Sequence, residues 1–371
     1  MRIALLCNLY YPIAEPFAGG LERQTHQLAT GLVAAGEEVT LFAHPKSDFR
    51  FDVVPIPFEE TPRTRGPAQT YRRVSAYRRM MRAVADRGPF DIVHNNTLHW
   101  VPPLWLALGG AASLTTLHTP PYRSLRLAAA LSRLRGQPRA VSISTTLGEE
   151  WKSALGYLPE VVPNGIDLEE WPLSLTPEPK TAIWYGRLEP EKAPHLAILA
   201  ARRAGYRLTL AGRIDNEDYY QQQVAPHLGA DCSYLGSVSS AELKTRIGQA
   251  AVCLFTSVWN EPFGLVLLEA PSCGTPVVAI ELGAVTEVLN ARMGVRVPFT
   301  KSLGTSHFGA NAGARGGEEE VVVKRLAEGI RAAAELNRAD CRAAVRERFD
   351  LNRMTDAYRA VYRTLSAVGE V

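Results

Sequence analysis

Ala250-Ala251-Val252-Cys253-Leu254-Phe255 is followed after three residues by Trp259-Asn260-Glu261-Pro262-Phe263-Gly264-Leu265-Val266-Leu267-Leu268-Glu269. The first stretch is a short, unbroken apolar run, the pattern of a parallel strand covered on both faces. The second has a Pro-x-Gly break and then an apolar run of helical character. The order is strand, loop, helix, with the helix predicted to begin near Gly264. This is the repeating element of an α/β fold with a parallel sheet. Glu261 then sits in the loop, and Glu269 lies about one and a half turns into a helix rising ~1.5 Å per residue. The two acids flank whatever lies across the helix start, whose free N–H groups and positive dipole end point outward. An anionic ligand with hydroxyls on either side suits such a place, for instance a nucleotide diphosphate joined to a sugar. The plain alternative is two solvated glutamates on a helix face. Against it, Glu269 is embedded between Leu265-Val266-Leu267-Leu268 and Ala270, where a carboxylate needs a partner.

The same alternation extends outward in both directions. Strand-like runs occur at Ile3–Cys7, Val39–Ala43, Ile92–His94 and Ser113–Leu117, and again at Ala182–Tyr185, Arg207–Ala211, Val252–Phe255 and Val277–Ile280. Stretches of helical length ending in glycine, such as Leu21–Gly36 and Ala193–Gly205, lie between them. Met1–Gly20 and Thr181–Ala193 both read strand, loop, helix start, so the pattern resets once. Two doubly wound units follow, with a boundary in the proline-rich, acidic segment Pro163–Lys180. A chain of 371 residues is also too long for one ordinary core. The helical pattern of Arg338–Val368 is predicted to be a long terminal helical stretch.

Composition excludes several classes. An apolar content of 46% with 21% charged residues is that of a globular protein, and no apolar run approaches the ~18 residues of a membrane span. The N-terminal Met1–Asn8 reads as a buried first strand and not as a signal peptide. The five cysteines are scattered with no Cys-x-x-Cys, which predicts free thiols in a reducing cytoplasm and no zinc site. The net charge of +3 is uneven: residues 1–165 hold 18 Lys and Arg against 13 Asp and Glu. The excess is concentrated at Arg63, Arg65, Arg72, Arg73, Arg78, Arg79, Arg82 and Arg87, with a second group at Arg123, Arg126, Arg133, Arg135 and Arg139. Tyr71, Val74, Tyr77, Met81 and Val84 recur at helical spacing among the first group. That helix either meets an anionic membrane or packs on the core with a solvated basic face. No nucleic-acid motif accompanies the charge. Thr300–Gly317, rich in Gly, Ser, Thr and Asn, reads as a surface loop.

Three further places suit ligand chemistry. Gly19-Gly20 ends the loop after the first strand, where missing side chains let a ligand approach the backbone, or where the chain simply turns. His118, in Thr115-Thr116-Leu117-His118-Thr119-Pro120-Pro121, follows a strand and is either a hydrogen-bonded structural residue or a ligand contact. Gly186-Arg187-Leu188-Glu189-Pro190-Glu191-Lys192 puts two cations beside a helix start, which is unfavourable for the helix unless an anion binds there. Salt bridges from Arg187 to Glu189 and Glu191 are the alternative.

Taken in order, Gly19-Gly20, His118, Pro163-Asn164-Gly165-Ile166-Asp167, Gly186-Arg187-Leu188-x-x-Glu191-Lys192, Glu261-x7-Glu269, Gly274-Thr275-Pro276-Val277-Val278-Ala279 and Arg353-Met354-x-x-x-Tyr358-x-x-x-Tyr362 resemble family 4 of the retaining glycosyltransferases. The resemblance covers nearly the whole chain. It implies the GT-B fold: an N-terminal Rossmann-like acceptor domain (1–165), a C-terminal nucleotide-sugar domain (166–350) facing it across a cleft, and a terminal helix (351–371) crossing back to the first. It implies that Arg187 and Lys192 hold the donor diphosphate, that Glu261 and His118 contact the transferred sugar, and that Gly19 and Gly20 admit its phosphate. The amides of Phe263, Gly264, Leu265 and Val266 would meet sugar and phosphate, and Glu269 the ribose hydroxyls. The donor would be a nucleotide sugar, most often UDP-linked, with no metal or cofactor, and the acceptor a glycan, a lipid-linked or a small molecule. The enzyme would be cytoplasmic, with peripheral contact at the inner membrane surface left open. A nucleotide-sugar epimerase of the same architecture, or a non-catalytic nucleotide-sugar-binding protein, would share most of these features. Ala193 departs from the family, which usually has glycine after Glu-Lys, and Pro271 falls late in the helix after Glu269.

Overall fold

The computed structural model describes residues 1–58, 66–109, 112–134, 136, 138–299 and 316–368. Arg63, Arg65 and Arg135 and the loop residues 300–315 lie outside them. The chain divides into two compact units, Met1–Gly165 with Leu351–Val371, and Ile166–Asp350.

The first unit contains β1 (Arg2–Leu6), α1 (Gly20–Ala34), β2 (Glu38–Ala43), β3 (Asp52–Pro55), α2 (Pro67–Arg87), β4 (Ile92–Asn95), α3 (Val101–Leu106), β5 (Ser113–Leu117), α4 (Arg123–Arg133), β6 (Ala140–Ser142), α5 (Thr145–Leu155) and β7 (Glu160–Val161). Its seven strands form one parallel sheet in the order β3-β2-β1-β4-β5-β6-β7. β1 shows why such strands read as unbroken apolar runs. Ile3 and Leu5 face Leu28 and Leu32 of α1, while Ala4 and Leu6 face Tyr77, Met80 and Met81 of α2.

The second unit contains β8 (Thr181–Tyr185), α6 (Pro194–Ala204), β9 (Arg207–Ala211), α7 (Glu217–Tyr219), β10 (Cys232–Tyr234), α8 (Ser240–Gln249), β11 (Val252–Phe255), α9 (Val266–Ser272), β12 (Val277–Ile280), α10 (Val285–Val288), β13 (Gly294–Val297), α11 (Gly316–Ala333) and α12 (Arg338–Phe349). Its six strands are again parallel, in the order β10-β9-β8-β11-β12-β13. In each sheet the strand order reverses beside the first strand, between β1 and β4 and between β8 and β11. In open α/β sheets ligands bind at the carboxyl ends of the strands flanking that reversal.

The terminal helical stretch consists of two helices. Asp350 takes an extended ψ of 141° and ends α12, and α13 (Leu351–Val368) belongs to the first unit. Leu351, Met354, Tyr358 and Tyr362 of α13 complete the core around Ile3 and Leu5. The Tyr362 hydroxyl lies 2.7 Å from His94 Nδ1, His94 Nε2 lies 2.7 Å from Thr116 Oγ1, and Tyr358 reaches the same Thr116 oxygen at 3.0 Å. Gly31 marks where α1 meets α13: a methyl group there would overlap Thr355 Oγ1. Gly31→Ala is expected to lower stability by up to about 2 kcal/mol. Overpacking typically costs ~1–3 kcal/mol and alanine's helix propensity returns ~1 kcal/mol. Adding Thr355→Ala should recover most of the urea midpoint; no recovery would place the damage elsewhere.

All five cysteines are free and buried. Among the described residues no helix is long and apolar enough to cross a membrane.

Candidate functional site

In the second unit, the loops after the neighbouring strands β8 and β11 are braced against each other. Trp184 Nε1 donates to Thr256 Oγ1 at 3.0 Å, and Thr256 Oγ1 lies 3.0 Å from the Lys192 carbonyl and 2.9 Å from that of Ala193. Val258 N donates to the Glu191 carbonyl at 2.8 Å. Ala193 is in the left-handed region, at φ 46°, which explains the usual glycine at this place. The bracing aims Lys192 at Glu261: its ammonium donates to Glu261 Oε1, which also accepts from Ser257 Oγ at 2.8 Å. Both side chains are largely buried, and Lys192 Nζ stands 5.8 Å from the Trp259 ring centroid.

The next residues correct the expected helix start. Gly264 has φ 83°, its carbonyl accepts from Leu267 N at 2.9 Å, and α9 begins only at Val266. Pro-x-Gly here makes a turn before the helix, and Glu269 lies in the first turn of α9. Among the described residues the amides of Phe263, Gly264, Leu265 and Val266 have no protein acceptor. Phe263 is buried edge-on against Phe349, which fixes the loop. Glu269 is buried beside Tyr185. Burial, and then its charge, raise the neighbouring Tyr185 phenol well above its usual range.

Arg187 lies 2.8 Å from Glu189, 3.3 Å from Glu191 and 3.4 Å from Asp215, so the ion pairs named as the alternative exist, with one further acid; Glu189 also feels the charge of Lys192. Burial pushes the Glu189 carboxyl up to about 7 despite Arg187 beside it.

In the first unit, Gly19 caps α1 in extended backbone that any residue adopts, so its contribution is the missing side chain; Gly20 opens the helix. His118 follows β5, nearly buried, with Nε2 2.6 Å from Asn96 Oδ1. Asn96 Nδ2 donates at 2.8 Å to both Gln24 Oε1 and Thr25 Oγ1. Thr25 gives its own proton to the Leu21 carbonyl at 2.8 Å and can only accept from Asn96. Asn96 therefore turns its oxygen to His118, Nε2 carries the proton, and Nδ1 is left as an acceptor. A cavity of about 40 Å³ lies behind His118, lined by Thr119, Leu125, Ala129 and Trp151.

Burial pushes His94 and His118 down to about 3, and His99 and His195 to about 4. Each stays neutral when folded and binds a proton near 6.5 when unfolded. Their contribution is fully present above about 6.5 and is lost as pH falls, with a slope of up to about 1.4 kcal/mol per pH unit for each. The urea midpoint is expected to drop between pH 7 and pH 5, and a flat midpoint would contradict this assignment.

Thr256, Ser257, Asn96 and Asp215 were not singled out from sequence. The signal for the first three is a polar residue within two positions of the end of a buried strand. Among the described residues no group of three or more His, Cys, Asp or Glu side chains is placed to hold a metal ion.

The profile of Glycosyltransferase Family 4 matches residues 18–170, and that of the Glycosyl transferases group 1 matches residues 166–301. The chain belongs to glycosyltransferase family 4. This glycosyltransferase is 30% identical over 316 residues to a phosphatidyl-myo-inositol mannosyltransferase of Mycolicibacterium smegmatis, with 78% of each chain covered. It is 29% identical over 351 residues to a glycogen synthase of Mycobacterium tuberculosis, covering 80% of this chain and 82% of the relative. Its fold is that of sucrose-phosphate synthase from Thermosynechococcus elongatus (TM-score 0.75, 18% identity, 99% and 100% of the chains covered). It is also that of HepE from Anabaena in complex with UDP and glucose (TM-score 0.68, 18% identity, 98% and 100% covered). The two Rossmann-like units are thus those of a GT-B glycosyltransferase.

Proposed function

We propose that this glycosyltransferase transfers a hexose, with retention at the anomeric carbon, from a nucleotide-diphosphate sugar. The observation that carries the reading is the Lys192–Glu261 contact beside four consecutive amides with no protein acceptor among the described residues. An ammonium and a row of N–H groups suit a diphosphate, and an adjacent carboxylate suits sugar hydroxyls. On binding, Lys192 exchanges Glu261 for the departing diphosphate, and Arg187 exchanges part of its carboxylate cage. Glu261 then turns to the sugar. Fixed donors at the developing charge lower the barrier, each typically worth a few kcal/mol. This assignment gives the phosphate charge to the protein, without a metal ion. Glu269 takes the ribose hydroxyls, Gly19 and Gly20 admit phosphate, and His118 Nδ1 accepts from a sugar hydroxyl. The UDP and glucose bound by the Anabaena HepE protein support a UDP-hexose as the first donor to try. Residues 1–165 hold the acceptor, which is a glycan, a lipid-linked or a small molecule.

The test is a binding and hydrolysis screen of UDP-, GDP- and ADP-hexoses, with anomer analysis of any glycosylated product. Loss of turnover in Glu261→Gln, with folding retained, supports the role. Full activity in that variant, an inverted anomer, or an isomerised donor with no transfer would each overturn the reading.

A further inference from the structure

Helix α4 breaks the rule that large apolar side chains turn inward. Its buried face holds Leu125, Ala128, Ala129 and Ser132, and the 40 Å³ cavity lies beneath it. Its outer face holds Leu127 and Leu131, 62% and 42% exposed, and Leu134 follows at 80%. Positions i, i+4 and i+7 put these three leucines on one stripe. Arg123, Arg126 and Arg133 are exposed on the same helix. Among the described residues none of these arginines pairs with a carboxylate, and neither α3 nor α4 contains an acidic residue. α3, packed against α4, adds Trp105 as an exposed aromatic side chain.

Helix α2, the more arginine-rich helix, is different. Its Tyr77, Met80, Met81 and Val84 are consumed by the core, so its outer face is basic with Tyr71 as its exposed large apolar side chain. The apolar stripe and cations that pair with no carboxylate among the described residues coincide on α4.

We propose that α4 is an interfacial helix that docks the first unit on an anionic phospholipid surface. Leu127, Leu131 and Leu134 enter the headgroup boundary, and the arginines keep their aliphatic stems on it while their guanidinium groups meet lipid phosphates. A second copy fits poorly, because pairing two α4 stripes brings arginines of like charge together in either direction. The proposal is independent of the donor assignment.

The test is co-sedimentation of the full chain with vesicles of phosphatidylcholine alone and of phosphatidylcholine mixed with phosphatidylglycerol, in low and high salt. The wild type should pellet with the mixed vesicles at low salt and less at high salt. Leu127→Ser/Leu131→Ser/Leu134→Ser, all at exposed positions, should lower partitioning by about tenfold or more while leaving the urea midpoint unchanged. Arg123→Gln/Arg126→Gln/Arg133→Gln should abolish the preference for phosphatidylglycerol, whereas Arg72→Gln/Arg78→Gln/Arg79→Gln/Arg82→Gln should pellet like the wild type. Any of four results overturns the proposal: wild type left in the supernatant, the triple serine variant pelleting fully, binding lost in the α2 variant alone, or a concentration-dependent dimer that the serine substitutions dissolve.

Discussion

Lys192→Met should lower kcat/KM by about 10²–10³, the usual effect of removing one donor from a developing anion. It should also destabilise the second unit, which is the more informative half of the experiment. With Lys192 gone, Glu261 is left charged in a largely buried place. Breaking a fully buried pair costs about 3–5 kcal/mol. Lys192 retains 19% exposure and Glu261 9%, so water screens part of the charge and about 1–3 kcal/mol is expected. Lys192→Met/Glu261→Gln should recover stability and not turnover. Activity and urea midpoint, measured on the same preparations, then move apart. Turnover at the wild-type level in Lys192→Met would remove the ammonium from the mechanism.

Gly212→Ala should be the more damaging substitution for the fold. Gly212 follows β9 with φ 135°, a conformation that residues with a side chain rarely adopt. A methyl group there would overlap the Gly186 carbonyl oxygen and stand 2.8 Å from the Gly186 carbonyl carbon. These are backbone atoms and cannot swing aside. Backbone strain of about 1–3 kcal/mol adds to overpacking of about 1–3 kcal/mol, against a total stability of about 5–15 kcal/mol. Gly186 precedes Arg187, so the protein that still folds should have lost the placement of that guanidinium and much of its turnover. Gly205→Ala separates the two causes. Gly205 has φ 77° but open space around it, so only the conformational term, about 1 kcal/mol, should appear. Equal losses at Gly205 and Gly212 would show that the contact with Gly186 does not matter.

The strands were the most legible part of the chain. Ser113–Leu117, Arg207–Ala211, Val252–Phe255 and Val277–Ile280 all lie where the sequence places them; Val252–Phe255 and Val277–Ile280, buried at every position, carry no polar residue to confuse the reading. Breaks within helical patterns were less legible. Phe349 and Leu351 are both buried, so the apolar period runs through Asp350 although the backbone does not. Pro262-Phe263-Gly264 suits a helix start and a turn equally, and Gly264 φ decides for the turn. In the site, the Arg187 pairs with Glu189 and Glu191 follow from neighbours in sequence. Asp215 and the meeting of Lys192 with Glu261, 69 residues away, do not. They depend on β8 lying between β9 and β11, an arrangement of non-consecutive strands that no local pattern encodes.

The place of α13 has a consequence for synthesis. The second unit is continuous from Ile166 to Asp350, whereas the first awaits Leu351 onward to cover Ile3 and Leu5. As the polypeptide leaves the ribosome, the part made first is finished last. Until translation reaches Tyr362, the nascent first unit exposes an apolar seam on α1 and leaves the His94 imidazole without its phenol, a natural station for a chaperone.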